Sequence, residues 1–328
     1  MLTRSGGACP TVATVDCCFY SASDAAEQFR KIGLHFNILQ LSQGPLEGRF
    51  RVRHFSDVVL VSLQCNQSIL FQGERNKRFV TFGLEQDDRP DLFRVRGEEV
   101  TPHSIYGFNL QIRDVFFMSQ APCHFSFVLI RRERLERLSS LERGDHLMAT
   151  LSRCDSAQLQ PELFTRLRRM IRIPQTNQQP GSDVLNVDLL EALVLECFCP
   201  SSEPEWRPLK PASFRIGLVQ EIVRWGFNNS CKPISMDDLS RTVFASRSTI
   251  SQSCRELFGL GPMALLKQVR LQQVQLALSS PDLQNRLACS TVQDIAAHFG
   301  FYSRNHFARD YRQLFGEAPK KTLLRAVA

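Results

Sequence analysis

Along residues 36–130, apolar and polar side chains alternate with the period of β-strands. RFRVRHF sets Phe50 and Val52 on one face and arginines on the other. DVVLVSLQC, QSILFQG, KRFVTFGL, YGFNLQIR and HFSFVLIRR follow at short intervals, separated by turn-forming stretches such as GPLEG and GERN. Short strands in such succession favour a curled sheet or small barrel. After Arg131 the period lengthens. RRERLERLSSLERG, PELFTRLRRMIRI and SDVLNVDLLEALVLECFC carry apolar residues three and four apart, as helices do. In the last, Val184, Val187, Leu190, Leu193 and Val194 make a stripe that Leu189 and Leu195 widen, fit for a core or for pairing with a second copy. Prolines 200, 204, 208 and 211 then exclude an uninterrupted helix or a central strand. The pattern predicts an α+β chain: a β-rich sensing or dimerisation domain with C-terminal helices over 1–199, a proline-rich linker over 200–213, and an all-α domain over 214–328.

Within that all-α domain, a single device occurs twice. SRSTISQSCRELFGLGP (246–262) and SRNHFARDYRQLFGEAP (303–319) share Ser, Arg, Arg, Leu, Phe, Gly and Pro at a constant offset of 57 residues. Each segment follows a short helical stretch and a turn, near Phe244-Ala245 in the first and at Gly300-Phe301 in the second. Ser246 and Ser303 are placed to cap the helices that follow. Ile250, Cys254, Leu257 and Phe258 fall on one face of the first, and Phe307, Tyr311, Leu314 and Phe315 on one face of the second. Two helices joined by a short turn make a helix-turn-helix, whose second helix enters a DNA major groove. Helices 246–257 and 303–314 are thus the expected recognition helices. Their outward residues are Ser248, Ser251, Gln252 and Arg255 in the first, and Asn305, Ala308, Arg309 and Arg312 in the second. Gln and Asn pair with adenine edges and Arg with guanine. Between the copies, PMALLKQVRLQQVQLALSS carries an apolar stripe (Leu266, Val269, Val274, Leu278) and stops at Pro281. A helix of about 18 residues spans roughly 27 Å, against about 34 Å between successive major grooves on one face of DNA.

Charge sharpens this division. From Arg215 onward 15 Lys and Arg oppose 8 Asp and Glu, so the whole net charge of +7 resides there, leaving 25 of each sign before it. Only the last third is built to meet a polyanion. No run of about 18 uncharged apolar residues occurs, and the N-terminus lacks a secretory apolar core. A cytoplasmic, nucleoid-associated protein is expected, with no membrane partner.

The last 115 residues resemble the DNA-binding domain of AraC/XylS-type bacterial transcription regulators. The resemblance rests on IAAHFGFYSRNHFARDYRQLFGEAP, with its IA, GF, following F and FG-x-x-P, and on SRSTISQSCRELFGLGPMALLKQVRLQQVQLAL. Thr322-Leu323 departs from the aromatic-Arg pair common in that family. The resemblance implies two helix-turn-helix units joined by a long helix. It implies base reading by Ser248, Ser251, Gln252, Asn305, Ala308 and Arg309, and phosphate contacts by Arg255 and Arg312, with Arg247, Arg270 and Arg304 as further candidates. It also implies double-stranded DNA and RNA polymerase as partners, an activating role, and an N-terminal domain that binds a small-molecule effector or forms a homodimer. The competing reading is an effector-independent or architectural DNA-binding protein.

Other chemistry finds little support. The 11 cysteines are scattered without a CxxC pair, and the seven histidines lack the spacing of a cupin metal site, so no metal or cofactor is expected. GxSxG, a phosphate-binding GKS or GKT loop and HExxH do not occur, and no catalytic residue is assigned. Pro122-Cys123-His124 matches three residues of the PCHR motif of DNA alkyltransferases, some of which are fused to AraC-like domains. Phe125 replaces the arginine, and nothing nearby in sequence activates the Cys123 thiol.

Overall fold

A computed structural model describes residues 13–141, 145–172 and 183–327. The first strands are β1 (Ala13–Phe19), β2 (Phe36–Gln40), β3 (Gly48–His54), β4 (Val58–Cys65), β5 (Ile69–Glu74) and β6 (Phe79–Glu85), with helix α1 (Ala22–Lys31) after β1. β7 (Phe93–Val95), β8 (Glu98–Glu99), β9 (Ser104–Tyr106), β10 (Asp114–Ser119) and β11 (Cys123–Arg131) complete the run. Helices α2 (Arg132–Leu141), α3 (Asp145–Arg153), α4 (Pro161–Ile171) and α5 (Asp183–Phe198) follow, with strand β12 (Cys154–Gln158) after α3 and β13 (Glu205–Pro208) after α5. The strands form two antiparallel sheets. One has eight strands in the order β1-β3-β4-β11-β6-β9-β12-β13, the other five in the order β2-β5-β10-β7-β8.

The eight-stranded sheet is covered on both faces, which explains the nearly unbroken apolar run VVLVSLQC of β4. One face meets a phenylalanine-rich core shared with the smaller sheet, containing Phe29, Phe50, Phe71, Phe117 and Phe125. The other carries Val58, Leu60, Phe82 and Val128 against Leu151, Phe164, Leu167 and Leu193. β1 and α1 lie ahead of the segment whose alternation marks strands. β1 covers one edge, and Arg51, expected on a polar face, is only 5% exposed beside Asp16. Of the stripe on α5, Leu190, Leu193 and Val194 enter the core of this same chain, while Leu189 is exposed. The side chains of Val184 and Val187 lie outside the described residues.

The proline-rich stretch 200–213 is not simply a tether. Glu205–Pro208 pairs with β12, with Trp206 opposite Ala157. As an edge strand it can tolerate proline because one side needs no ladder donors, and Trp206 stacks on Phe198 at 5.9 Å between ring centroids.

The remaining described chain is helical: α6 (Phe214–Asn228), α7 (Met236–Thr242), α8 (Arg247–Phe258), α9 (Pro262–Ser279), α10 (Pro281–Leu287), α11 (Val292–His298), α12 (Arg304–Phe315) and α13 (Pro319–Val327). Pro281 ends the connector α9 as its sequence predicts, and it also starts α10, where Ser280 caps by accepting from the Leu283 N–H. α9 is the spine of this region. Its first half joins a core with α6 and α8, and its second half, through Leu271, Val274 and Leu278, joins a separate core with Phe307, Tyr311 and Phe315.

The first of these cores is shared between the strands and the helices. Leu39, Leu70, Phe116 and Met118 of the five-stranded sheet pack into it alongside Leu218, Ile222 and Val269. Gln272, 3% exposed, sits at the centre of the contact. Its Oε1 accepts from the Gln40 N–H at 3.1 Å while its side-chain amide donates to the Ile38 carbonyl. One carboxamide thus supplies edge strand β2 with the donor and acceptor that a neighbouring strand would otherwise offer.

Candidate nucleic-acid interface

The residues shared by the two repeats are those that shape the unit. Ser246 caps α8, its Oγ accepting from the Thr249 N–H at 3.1 Å. Ser303 holds the corresponding place before α12 without a side-chain capping bond, contrary to its expected cap. Gly259 and Gly316 end the two helices in the left-handed conformation, φ 67° and 71°, which a side chain would strain. Pro262 and Pro319 open the next helices, α9 and α13. The inner faces are as expected for Phe307, Tyr311, Leu314 and Phe315, all buried. In α8, Ile250 and Cys254 are buried but Leu257 and Phe258 only half-buried.

The turns differ by one residue yet reach the same geometry. Gly300 takes φ 80° in the second, and Phe244 takes φ 50° in the first. A phenylalanine there bears a backbone cost that glycine avoids, of roughly 1–2 kcal/mol. Its ring is 93% exposed, and Tyr302, just before Ser303, is 77% exposed. These two exposed aromatics lie just before the N-termini of α8 and α12.

On α8, Ser248, Gln252 and Arg255 are exposed and Ser251 half-buried. Gln252 is held in place: its Nε2 donates to Glu256 Oε1 at 2.9 Å, and Glu256 is in turn paired with Arg215 of α6. The Arg215 guanidinium holds the Glu256 carboxyl below its usual range, so Glu256 stays an acceptor. On α12, Asn305, Arg309 and Arg312 are exposed and Ala308 half-buried. Arg309 lies 3.5 Å from Asp310, which is tied to Lys267 of the connector at 3.0 Å. The outward face of α8 thus carries one of these arginines, Arg255, and that of α12 two, Arg309 and Arg312.

The arginines named as phosphate contacts divide. Arg255 and Arg312 make no ion pair among the described residues. Arg247 pairs with Asp237, and Arg304 donates to Gln293, each on the first helix of its own unit. Arg270 is different. Half-buried on α9, it lies 5.3 Å over the Phe301 ring, with Nη1 close to where a side chain at Gly300 would begin. Burial lowers its pKa. It lies under the second turn, where it packs the connector against that turn.

A family model described as a helix-turn-helix domain matches residues 239–325, covering the described units from within α7 into α13. A probable AraC family transcriptional regulator from Rhodopseudomonas palustris CGA009, known as a crystal structure, is 34% identical over 97% of its own chain and 34% of this one, with a TM-score of 0.30. The chain belongs to the AraC/XylS family. Among curated AraC/XylS relatives, the XylDLEGF operon transcriptional activator 2 of Pseudomonas putida is 27% identical over 104 residues, 32% of this chain and 64% of that one. The HTH-type transcriptional activator RhaS of Pectobacterium carotovorum is 26% identical over 140 residues, 43% of this chain and 44% of that one. The match thus spans less than two thirds of either curated relative.

In this AraC/XylS chain, Thr322, which departs from the family pattern, is buried and hydrogen-bonded to the Tyr311 hydroxyl at 2.9 Å and to Glu317 at 2.7 Å. The departure is filled by a closed polar network inside the second unit. Cys123, the other sequence candidate, is 2% exposed in β11 with its sulfur against Cys65 and Ser119, out of reach of a DNA strand. Among the described residues no His, Cys, Asp and Glu cluster is suited to a metal ion, and no helix is long and apolar enough to cross a membrane.

Proposed function

We propose that this protein is a sequence-specific transcription regulator, and an activator, whose helices 246–257 and 303–314 read two successive major grooves on one face of double-stranded DNA. The proposal divides the chain into a sensing region (1–199), a junction (200–213) and a DNA-binding region (214–328), acting on RNA polymerase in the cytoplasmic nucleoid. The observation that carries it is the pairing of one scaffold with two different outward faces. A serine at the helix start, inner apolar residues, a terminal glycine and a following proline recur in both units, while Ser248, Ser251 and Gln252 give way to Asn305, Ala308 and Arg309.

Footprinting on DNA selected from a random pool tests this directly. Two protected patches about one helical turn apart are expected, with affinity falling steeply as salt rises because phosphate contacts release counterions. A single patch, or salt-insensitive binding, would sink the two-groove arrangement.

A cavity in the sensing region favours the effector-dependent form of the proposal over the effector-independent one. It measures about 70 Å³, is walled by Phe71, Phe117 and Phe127, and reaches Arg75 and Asp155. The Tyr106 hydroxyl on its wall is buried and has no hydrogen-bond partner. A buried hydroxyl without a partner costs about 1–3 kcal/mol, and a small amphipathic ligand would remove that cost. In a thermal-shift screen of small hydroxy and carboxylic acids, a stabilising compound should lose its effect on Tyr106→Phe. A compound that stabilises both proteins equally binds elsewhere.

A further inference from the structure

The sulfurs of Cys65 and Cys123 lie 3.6 Å apart at the ends of β4 and β11. The two residues are direct partners in the antiparallel ladder. Directly opposed residues in such a ladder have Cα atoms about 4.5–5.5 Å apart, inside the range of about 4.4–6.8 Å that a disulfide spans. Bridging them therefore requires side-chain rotation with little backbone movement. Both thiols, though only 3% and 2% exposed, line a cavity of about 380 Å³ whose wall also includes Cys18, Tyr20, Arg49 and Asp87. Cys18 is itself exposed, so the cavity communicates with solvent.

The pair is also asymmetric. The Cys65 S–H has the Gln67 carbonyl at 3.0 Å, and Cys123 has the Ser119 hydroxyl at 3.2 Å. The neighbouring Cys65 thiol, and then Ser119, lower the Cys123 pKa against the opposing effect of burial, while the same contact raises that of Cys65. The Ser119 hydroxyl can donate to a Cys123 thiolate, whereas the Gln67 carbonyl holds Cys65 as the thiol, which makes Cys123 the attacking sulfur and Cys65 the resolving one.

Gln67, two residues beyond Cys65, connects the pair to the DNA-binding region. It donates from Nε2 to the Pro45 carbonyl at 3.1 Å and accepts from Ser42 Oγ. It thereby holds the loop between β2 and β3. On its other side that loop grips the end of recognition helix α12. The Gly44 N–H donates to the Leu314 carbonyl at 3.0 Å, and Gln40 Nε2 donates to the same oxygen at 3.1 Å. A chain of contacts thus runs from the two sulfurs, through Gln67, to the second helix-turn-helix unit.

We propose that Cys65 and Cys123 are a redox-modification site, forming a reversible disulfide when the protein meets a hydroperoxide, and that the bond loosens the 41–47 loop from α12. The Cys123 thiolate attacks the peroxide oxygen, the O–O bond breaks, and the leaving hydroxide or alkoxide takes a proton to become water or an alcohol. Cys65, as thiolate, then attacks the sulfur of the Cys123 sulfenic acid; the S–S bond forms as the S–O bond breaks, and the departing hydroxide takes the proton given up by the Cys65 thiol and leaves as water. Two electrons pass from the thiols to the peroxide, and a dithiol reductant returns them. Disulfide formation consumes the Cys65 S–H, so its bond to the Gln67 carbonyl is lost.

The chemistry of the pair does not depend on the DNA-binding reading, and its test needs no DNA. Full-length protein is treated with hydrogen peroxide, free thiols are alkylated, and peptides are mapped without reduction. The expected product is a Cys65–Cys123 crosslink with the mass loss of two hydrogens, formed equally in Cys18→Ser and reversed by dithiothreitol. In Cys65→Ala, Cys123 should be trapped as a dimedone adduct of its sulfenic acid. By hydrogen exchange, the Gly44 amide should exchange faster after oxidation and return to its original rate on reduction. Oxidation confined to Cys17 and Cys18, or a crosslink between other cysteines, overturns the site. The right crosslink with unchanged Gly44 exchange overturns its coupling to α12.

Discussion

Replacing Gln252 with Ala should relax base preference in one half of the DNA site, and replacing Arg309 with Ala should relax it in the other. Each is expected to cost about 1–3 kcal/mol of discrimination at its own base positions. The geometry makes these two side chains the strongest candidates. Gln252 is braced by Glu256, which Arg215 holds in turn, and Arg309 leans on Asp310, which Lys267 ties to the connector. A braced side chain loses less conformational entropy on binding than a free one, so its removal should be felt mainly as specificity. Arg255→Ala offers the contrast. As a phosphate contact it should weaken all sequences about equally and lower the slope of log affinity against log salt by about one. The measurement is binding-site selection for each variant at two salt concentrations. If Gln252→Ala and Arg309→Ala shift the same base position, or weaken every sequence alike, the reading faces are wrongly placed.

Tyr311→Ala should unfold the second unit while sparing the first. Tyr311 is fully buried, with its ring 4.7 Å from Phe315 and 5.6 Å from Phe307 between centroids, and its hydroxyl on Thr322. Truncating a core aromatic costs about 3–5 kcal/mol, a large share of the stability of a small unit. Tyr311→Phe removes only the hydroxyl, at about 1 kcal/mol, and Thr322 keeps Glu317. The core around Tyr311 is separate from the one that holds α8. The expected result is therefore a footprint that loses its second patch and keeps its first, with Tyr311→Phe close to wild type. Equal loss of both patches in Tyr311→Ala, at a temperature where the rest of the chain stays folded, would show that the two units do not fold separately.

These expectations differ in how far they could be reached from the chain alone. The repeat itself was legible because it is local. A capping serine, apolar residues three and four apart, a glycine and a proline each act within one helix, so their spacing appears directly in the sequence. The outward faces follow by subtraction, and Ser248, Gln252, Asn305 and Arg309 are exposed as that subtraction requires. Within the larger sheet β3, β4, β6 and β11 were legible for the same reason, whereas β1, β12 and β13 lie outside the stretches read as strands, and YGFNLQIR leaves the sheet after Tyr106.

Features that depend on distant contacts were not legible. Arg270 reads as one more cation on the connector, yet it is half-buried with its guanidinium over the ring of Phe301, about 30 residues on. Gln272 and Gln275 read as polar positions on a connector helix, yet both are buried, Gln272 against β2, more than 230 residues away. The proline-rich stretch reads as a tether because prolines exclude central strands, and only the open edge beside β12 makes a strand there permissible. Nothing in the sequence marks Cys65 and Cys123 as partners, and they become a pair only through the register of β4 and β11.

The sequence by itself therefore determined the α+β class, the two helix-turn-helix units, the connector and the faces turned outward, because helical period, caps and net charge are short-range properties. Only the tertiary structure decided that the strand-rich region shares a core with the first unit and grips the end of α12. It alone set two thiols in contact and left a tyrosine hydroxyl without a partner at a small cavity. Each of these depends on which distant surfaces meet, and that is set by the joint packing of both sheets and the connector rather than by any local pattern.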